Sequence, residues 1–191
     1  MKKFFYLCLL LACCAGCVAC SEKSSHQEGK TKEVTRTFDQ FGFSVTTPCA
    51  LEGDGTSVVE MEKYTLYEYK GEENPEDDKK AVIYYIGVRT PKDVESLEGL
   101  SEAEQSKIMD EVKELAIISD TTKIEKVSFS DRQYPGYAGS GERGTVREHC
   151  VLFNNGKYLI SLAVFASTTS VTQDVLDEKF NQFASSFKAI D

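Results

Sequence analysis

The sequence predicts an α+β fold: a mostly antiparallel β-sheet of about six or seven strands with two amphipathic helices packed on it. Three observations carry this. Short runs of alternating or wholly apolar residues recur between Val34 and Ala166, separated by turn residues. Two longer stretches, residues 101–116 and 171–187, repeat their apolar side chains at helical spacing instead. The resulting order ββ, ββ, α, βββ, α joins most strands to their sequence neighbours by short turns, which pair strands antiparallel.

Each element has its own reason. Residues 34–38 alternate apolar and polar, Asp39 and Gln40 turn the chain, and residues 41–45 alternate again until Pro48, which has no amide hydrogen to give a ladder. A second pair spans residues 63–70 and 81–89, joined by the loop GEENPEDDKK. The run AVIYYIGV is apolar on both faces and belongs in the middle of the sheet. In residues 101–116, Ser101 and Glu104 match a capping box, and Ile108, Val112 and Leu115 share one stripe. Strands return at 123–130, 145–153 and 158–166. Asn154-Asn155-Gly156-Lys157 turns between the last two, because Asn and Gly accept the positive φ that tight hairpins need. Leu176, Phe180, Phe183 and Phe187 form the core-facing stripe of the closing helix.

Length and composition bound the rest. A chain of 191 residues, 41% hydrophobic and 28% charged, holds one globular domain, placed here at residues 33–191. Its 31 acidic against 22 basic residues give a net charge of −9, with no basic stripe, which argues against a nucleic-acid partner.

The chain opens MKKFFYLCLLLACCAGCVACSEKSS, two lysines followed by an apolar run and then an abruptly polar stretch. From residue 4 to residue 20 the run covers about 25 Å as a helix, short of a bilayer core of about 30 Å. Residues 1–20 therefore read as an export signal. Small residues leading into a cysteine resemble a bacterial lipoprotein signal, in which that cysteine is acylated and becomes the mature N-terminus. Cys20, after Val18 and Ala19, is the favoured lipidation site because the polar Ser21, Glu22 and Lys23 follow it. Cys17, after Ala15 and Gly16, is the alternative, and Cys13 a weaker third. Cleavage before Cys20 would remove Lys2 and Lys3 and take the charge from −9 to −11. Residues 21–32, SEKSSHQEGKTK, read as a flexible tether of about 20 Å r.m.s. span. The implied partner is a membrane, engaged through the N-terminal lipid. Ser21 after the cysteine points to the outer rather than the inner membrane by resemblance to enterobacterial sorting.

A second resemblance covers residues 33–190. A first hairpin ending FSVTTP, a mid-chain helix, Tyr134-Pro135-Gly136, the pair VLFNNGKYLISLAVF and a closing FASSFKAI are similar to the PsbP/DcrB-like α/β/α sandwich. That resemblance implies an accessory, assembly or binding module of an exported protein, and transfers no active site.

Cys49 and Cys150 remain after cleavage. An oxidising envelope would allow a disulfide between them, closing a long loop for up to about 4–5 kcal/mol; two separate buried thiols are the alternative. His26 and His149 are the only histidines, so neither a metal site nor a Ser-His-Asp arrangement is readily assembled. His149 precedes Cys150 in a strand, which points the two side chains to opposite faces. Glu72, Glu73, Glu76, Asp77 and Asp78 lack the glycine and order of a calcium loop and read as solvated. Gly136, Gly139, Gly141 and Gly144 read as a mobile loop or wide turn between strands, with Tyr134, Tyr137 and Arg143 as candidate ligand contacts. Arg147 is expected to face carboxylates of a neighbouring strand. Tyr64, Tyr67, Tyr69, Tyr84 and Tyr85 suit sheet packing. The expectation is a non-enzymatic, lipid-anchored envelope module without cofactor, possessing a protein partner; a small-ligand-binding lipoprotein and a hydrolase are the alternatives.

Overall fold

The computed structural model describes residues 33–53, 58–60, 63–92, 96–116 and 124–190, with side chains except at 58–60, 114 and 115. The signal, the tether, Cys20 and Cys17 lie outside the described residues. Among the described residues, ten strands and two α-helices follow in the order β1 (Val34–Phe38), β2 (Phe43–Thr47), β3 (Val58–Glu60), β4 (Tyr64–Glu73), β5 (Val82–Pro91), α1 (Glu102–Ala116), β6 (Glu125–Phe129), β7 (Tyr134–Arg143), β8 (Val146–Asn154), β9 (Leu159–Ser167), α2 (Gln173–Ser185) and β10 (Lys188–Ala189). Seven strands form an antiparallel sheet in the order β3-β4-β5-β9-β8-β7-β6. The first hairpin does not join it. Instead β1, β2 and β10 make a separate three-stranded sheet.

The two central strands, β5 and β9, are apolar on both faces because both faces are covered. On one face Tyr84, Ile86, Ile160 and Leu162 meet Leu176, Phe180 and Phe183 of α2 and Phe43 and Val45 of the small sheet. On the other, Tyr85, Cys150, Leu152 and Ala163 meet Met109 and Val112 of α1. The architecture is thus layered: α2 and the small sheet, the large sheet, then α1.

Local chemistry explains the ends. Ser101 Oγ accepts from the Glu104 amide at 3.4 Å while Glu104 Oε2 accepts from the Ser101 amide at 2.9 Å, the reciprocal capping box. In the β8–β9 turn Asn155 Oδ1 accepts from the Lys157 and Tyr158 amides, and Gly156 takes φ +94°. The α2 stripe is buried as the spacing predicts, with Phe187 reaching the core from just beyond the helix end. In α1 the buried positions are Met109, Val112 and Ala116, and Ile108 lies at the margin.

Two expectations are corrected. The glycine run is not a loop but strand β7, paired with β8 from Gly136 to Arg143; a Cβ on Gly136 would lie 2.5 Å from the Leu152 carbonyl oxygen, so glycine lets the two backbones approach. The turn comes only at Gly144, with φ +58°. The second correction concerns the thiols. Cys49 and Cys150 are both free. Cys49 packs on the α2 side of the sheet beside Gly71, while Cys150 pairs across to Gly139 and Ala163 and points to the α1 side. The sheet itself separates them, so the bridge is not formed.

Candidate functional site

Helix α2 rests on β8 and β9, the middle of the large sheet. Strands β6 and β7 extend past it, and the strip they leave uncovered is closed on the far side by β10. The result is a cleft of about 910 Å³. Its lining is mixed: apolar Val127 and Phe129 from β6, Ala138 from β7, Val151 from β8, Phe180 from α2 and Phe187 lie beside Ser128 of β6 and Asn181 and Ser185 of α2. Strand alternation selects the apolar pair of β6, since Val127 and Phe129 share one face of the strand while Lys126 and Ser128 take the other. The aromatic groups brace one another. Phe129 stacks on Phe153 with centroids 4.2 Å apart, and Phe187 meets both edge-on at 5.3 and 5.1 Å. Both flanking strands, β6 and β10, are the outermost of their sheets.

The polar groups lie at the ends and rim. At one end His149 Nδ1 sits 2.7 Å from Asp177 Oδ1, and its ring stacks on Phe180 at 3.9 Å. Gln173 donates to the same Asp177 oxygen at 2.7 Å. Asp177 therefore fixes the orientation of the imidazole. Ser140 is the cross-strand neighbour of His149, yet no side-chain hydrogen bond joins them. At the other end lie Ser130, Asp131 and Arg132, with Lys188 on the rim.

The candidate ligand residues are not brought together. Tyr134 stands behind the cleft wall, its ring 5.9 Å from that of Phe153. Tyr137, an odd number of residues along the same strand, faces the opposite side and donates to Asp110 of α1. That bond, with burial behind it, pushes the Tyr137 hydroxyl up to about 12. Arg143 closes β7 far along the strand from Tyr134. Arg147 behaves as expected, its Nε donating to Glu142 of β7 at 2.9 Å. Glu73 does not: it belongs to β4, is buried, and accepts from Lys179 at 2.7 Å and from Tyr84 at 3.1 Å. The rest of the acidic loop is at the surface, Glu72, Glu76 and Asp78 fully and Asp77 partly. Burial, then Glu73, raises the Tyr84 hydroxyl above its ordinary range. Burial also raises the Tyr85 hydroxyl, opposed by Arg89 and assisted by Glu68. Arg89 is itself buried, donating to Ser161 at 2.7 Å. Sequence reasoning missed the cleft, because no periodicity reveals that α2 stops short of the sheet edge. The visible hint was Phe129 ending a short amphipathic strand.

Among the described residues no three of His, Cys, Asp and Glu converge as a metal site, and no helix is long and apolar enough to cross a membrane. No family model matches the sequence, and no curated protein matches it. Among solved structures the chain is similar to the solution structure of cyanobacterial PsbP (CyanoP) from Synechocystis sp. PCC 6803, at 15% identity and a TM-score of 0.48, over 87% of this chain and 98% of that one.

Proposed function

We propose that this protein is a lipid-anchored accessory module of the bacterial cell envelope, on the outer rather than the inner membrane, which acts by binding a partner protein and not by catalysis. The observation that carries the proposal is the cleft beside α2. The apolar part of its lining rewards burial of a partner's side chains at roughly 25 cal/mol per Å², and the outer edge of β6 offers backbone donors and acceptors to an added segment. The anchor at Cys20, or at Cys17, would hold that cleft near the membrane on the tether of residues 21–32.

Support for a non-catalytic role comes from what the perturbed groups do. Tyr64, Tyr84, Tyr85 and Tyr137 are each hydrogen-bonded to a carboxylate that fastens one element to another. Both thiols are pushed up, the reverse of what a nucleophile needs.

The test is site-specific photo-crosslinking of the full chain in its own membranes. A benzophenone side chain at Phe129 is expected to capture a discrete envelope protein, and one at Lys157, which pairs with Glu98 beside Leu97 on the α1 side of the sheet, is not. Capture from both positions alike, or from neither, would remove the proposal. Intact mass of the captured chain reads the lipid on Cys20 or Cys17. A second reading, a small-ligand-binding lipoprotein, is favoured by the cleft's volume, which falls within the roughly 300–1,000 Å³ of small-molecule sites.

A further inference from the structure

We infer that the cleft beside α2 takes an extended polypeptide segment of a partner protein, which pairs with the outer edge of β10, lays apolar side chains on the sheet below and turns a basic residue toward α2. The inference rests on the protein-binding reading of the cleft and names the chemistry of the partner.

Backbone direction is the first argument. Just past β10 the Ile190 amide donates to the Gly42 carbonyl at 2.9 Å, and within the strand Lys188 lies opposite Ser44. Thr46, two residues beyond Ser44 on β2, faces the same way, its backbone groups met by the Ser186 hydroxyl at 2.8 and 3.1 Å. Alternate residues of an antiparallel strand turn their backbone groups to one side. Lys188 and Ile190 therefore face β2, and Ala189 turns its N–H and C=O away from it. Because β10 is the last strand of its sheet and Ala189 borders the cleft, that donor and acceptor front the opening. Of the two open edges beside the cleft, that of β10 lies in the layer above the large sheet. A segment added there becomes a fourth strand of the small sheet and continues its layer over the part of β6 and β7 that α2 leaves uncovered.

The mixed lining is the second argument. Val127, Phe129, Ala138 and Val151 give apolar ground for the alternate side chains of an extended chain. Asn181 and Ser185, one turn apart on α2, offer hydrogen bonds to the amides such a chain carries beyond the end of β10. Charge is the third. Asn181 and Ser185 also border an adjoining hollow lined by Asp174, Asp177 and Glu178, so the α2 rim is acidic. Asp174 and Glu178 are exposed, while Lys179 of the same helix is tied to Glu73 at 2.7 Å. At the far end of the cleft the charges are Arg132 and Lys188 against Asp131, which places the partner's lysine or arginine at the α2 end. Other occupants match less of this. Residues 21–32 hold no large apolar side chain for the strip, and a second copy brings the same net charge of −9.

The test uses the full-length protein in lipid nanodiscs and a fluorescent peptide, two lysines followed by four Thr-Val repeats, read by anisotropy. The peptide is expected to bind. Only one edge of an added strand faces β10, so N-methylation of all its valine amides and of all its threonine amides should differ: one form loses affinity at least about tenfold and the other keeps it. Exchanging the two lysines for glutamates should weaken binding at least about tenfold, as should Glu178→Lys on the protein. Ala189→Pro removes the outward N–H without touching a bond to β2 and should weaken binding about tenfold. An unchanged melting temperature would show each variant folded, and the methylated peptides carry the test if Ala189→Pro does not fold. Absence of peptide binding, equal loss from both methylated forms, preference for glutamates, or insensitivity of a folded Ala189→Pro would each overturn the inference. If the peptide fails while Phe129 still captures a discrete envelope protein, this inference falls and the protein-binding proposal stands.

Discussion

Cys49 shows how much a single side chain depends on context that its sequence neighbours do not carry. Its thiol is pushed up to about 11, first by burial, then by the carboxylates of Glu73 and Glu72, against a smaller opposing pull from Lys179. Cys150 is raised well above the ordinary thiol range by burial, with Glu148 adding to it. Thiolate is the reactive form, so both should resist alkylation at neutral pH. With iodoacetamide, Cys49 is expected to react slowly at pH 8 and to accelerate toward pH 11, while Cys150 reacts only on unfolding. Prior reduction should leave this pattern unchanged, because no bridge needs breaking. Fast labelling of Cys49 at pH 7, or labelling that depends on reductant, would contradict the structure. The sequence could supply the two cysteines and the oxidising compartment, but not their faces. Strand alternation placed Cys150 relative to His149; nothing comparable related Cys49, outside any strand, to the sheet it packs on.

Elements were legible where one period dominated. The stripe of α2 was readable because Leu176, Phe180 and Phe183 repeat against an otherwise polar face, and the structure buries all three. Strand β7 was not readable for the opposite reason. Glycine lacks the side chain that makes strand patterning visible, so YPGYAGSGER looks like a loop although it pairs with β8 from Gly136 onward. Its glycines serve the backbone instead. Gly136→Ala would bring a methyl within 2.5 Å of the Leu152 carbonyl and 3.1 Å of the Phe153 Cβ. Neither atom is the end of a flexible chain, so the strands must part. The expected cost is about 1–3 kcal/mol, measured by urea unfolding. Because Phe153 supports Phe129 and Phe187, the same change should weaken capture at the cleft. Gly144→Ala meets nothing within 4 Å but sits at φ +58°, so it should cost about 1 kcal/mol through backbone strain alone and leave the cleft intact.

For the molecule as a whole, the shifted groups set a pH window, and the two faces of the sheet respond to its two limits differently. Glu104, Asp110 and Glu111 all lie on α1 and all have lowered values: Glu104 through hydrogen bonds from Ser101, Asp110 chiefly through Tyr137, and Glu111 chiefly through Lys63. A carboxyl lowered in the folded state contributes stability above its unfolded value, 3.8 for Asp and 4.5 for Glu, and loses it as pH falls through the folded value. Acid should therefore loosen α1 first, since none of these three groups holds α2. The alkaline limit has the opposite sign. Tyr64, Tyr84, Tyr85 and Tyr137 are raised from 10.0, so their contribution is complete below pH 10 and is lost as pH climbs toward their folded values. Those tyrosines face both layers: Tyr84 meets α2 through Phe183, and Tyr64, Tyr85 and Tyr137 lie on the α1 side. Alkali should accordingly release both helices together. Hydrogen exchange of residues 102–116 and 173–185, followed from pH 7 down to pH 3, reads the acid limb after correction for the intrinsic rate. Earlier loss of protection in α1 is the expected result, and simultaneous loss in both helices would mean that the ties on α1 do not carry its docking. On the alkaline limb, tyrosinate absorbance together with urea midpoints should show stability holding to about pH 10 and then falling as the hydroxyls ionise.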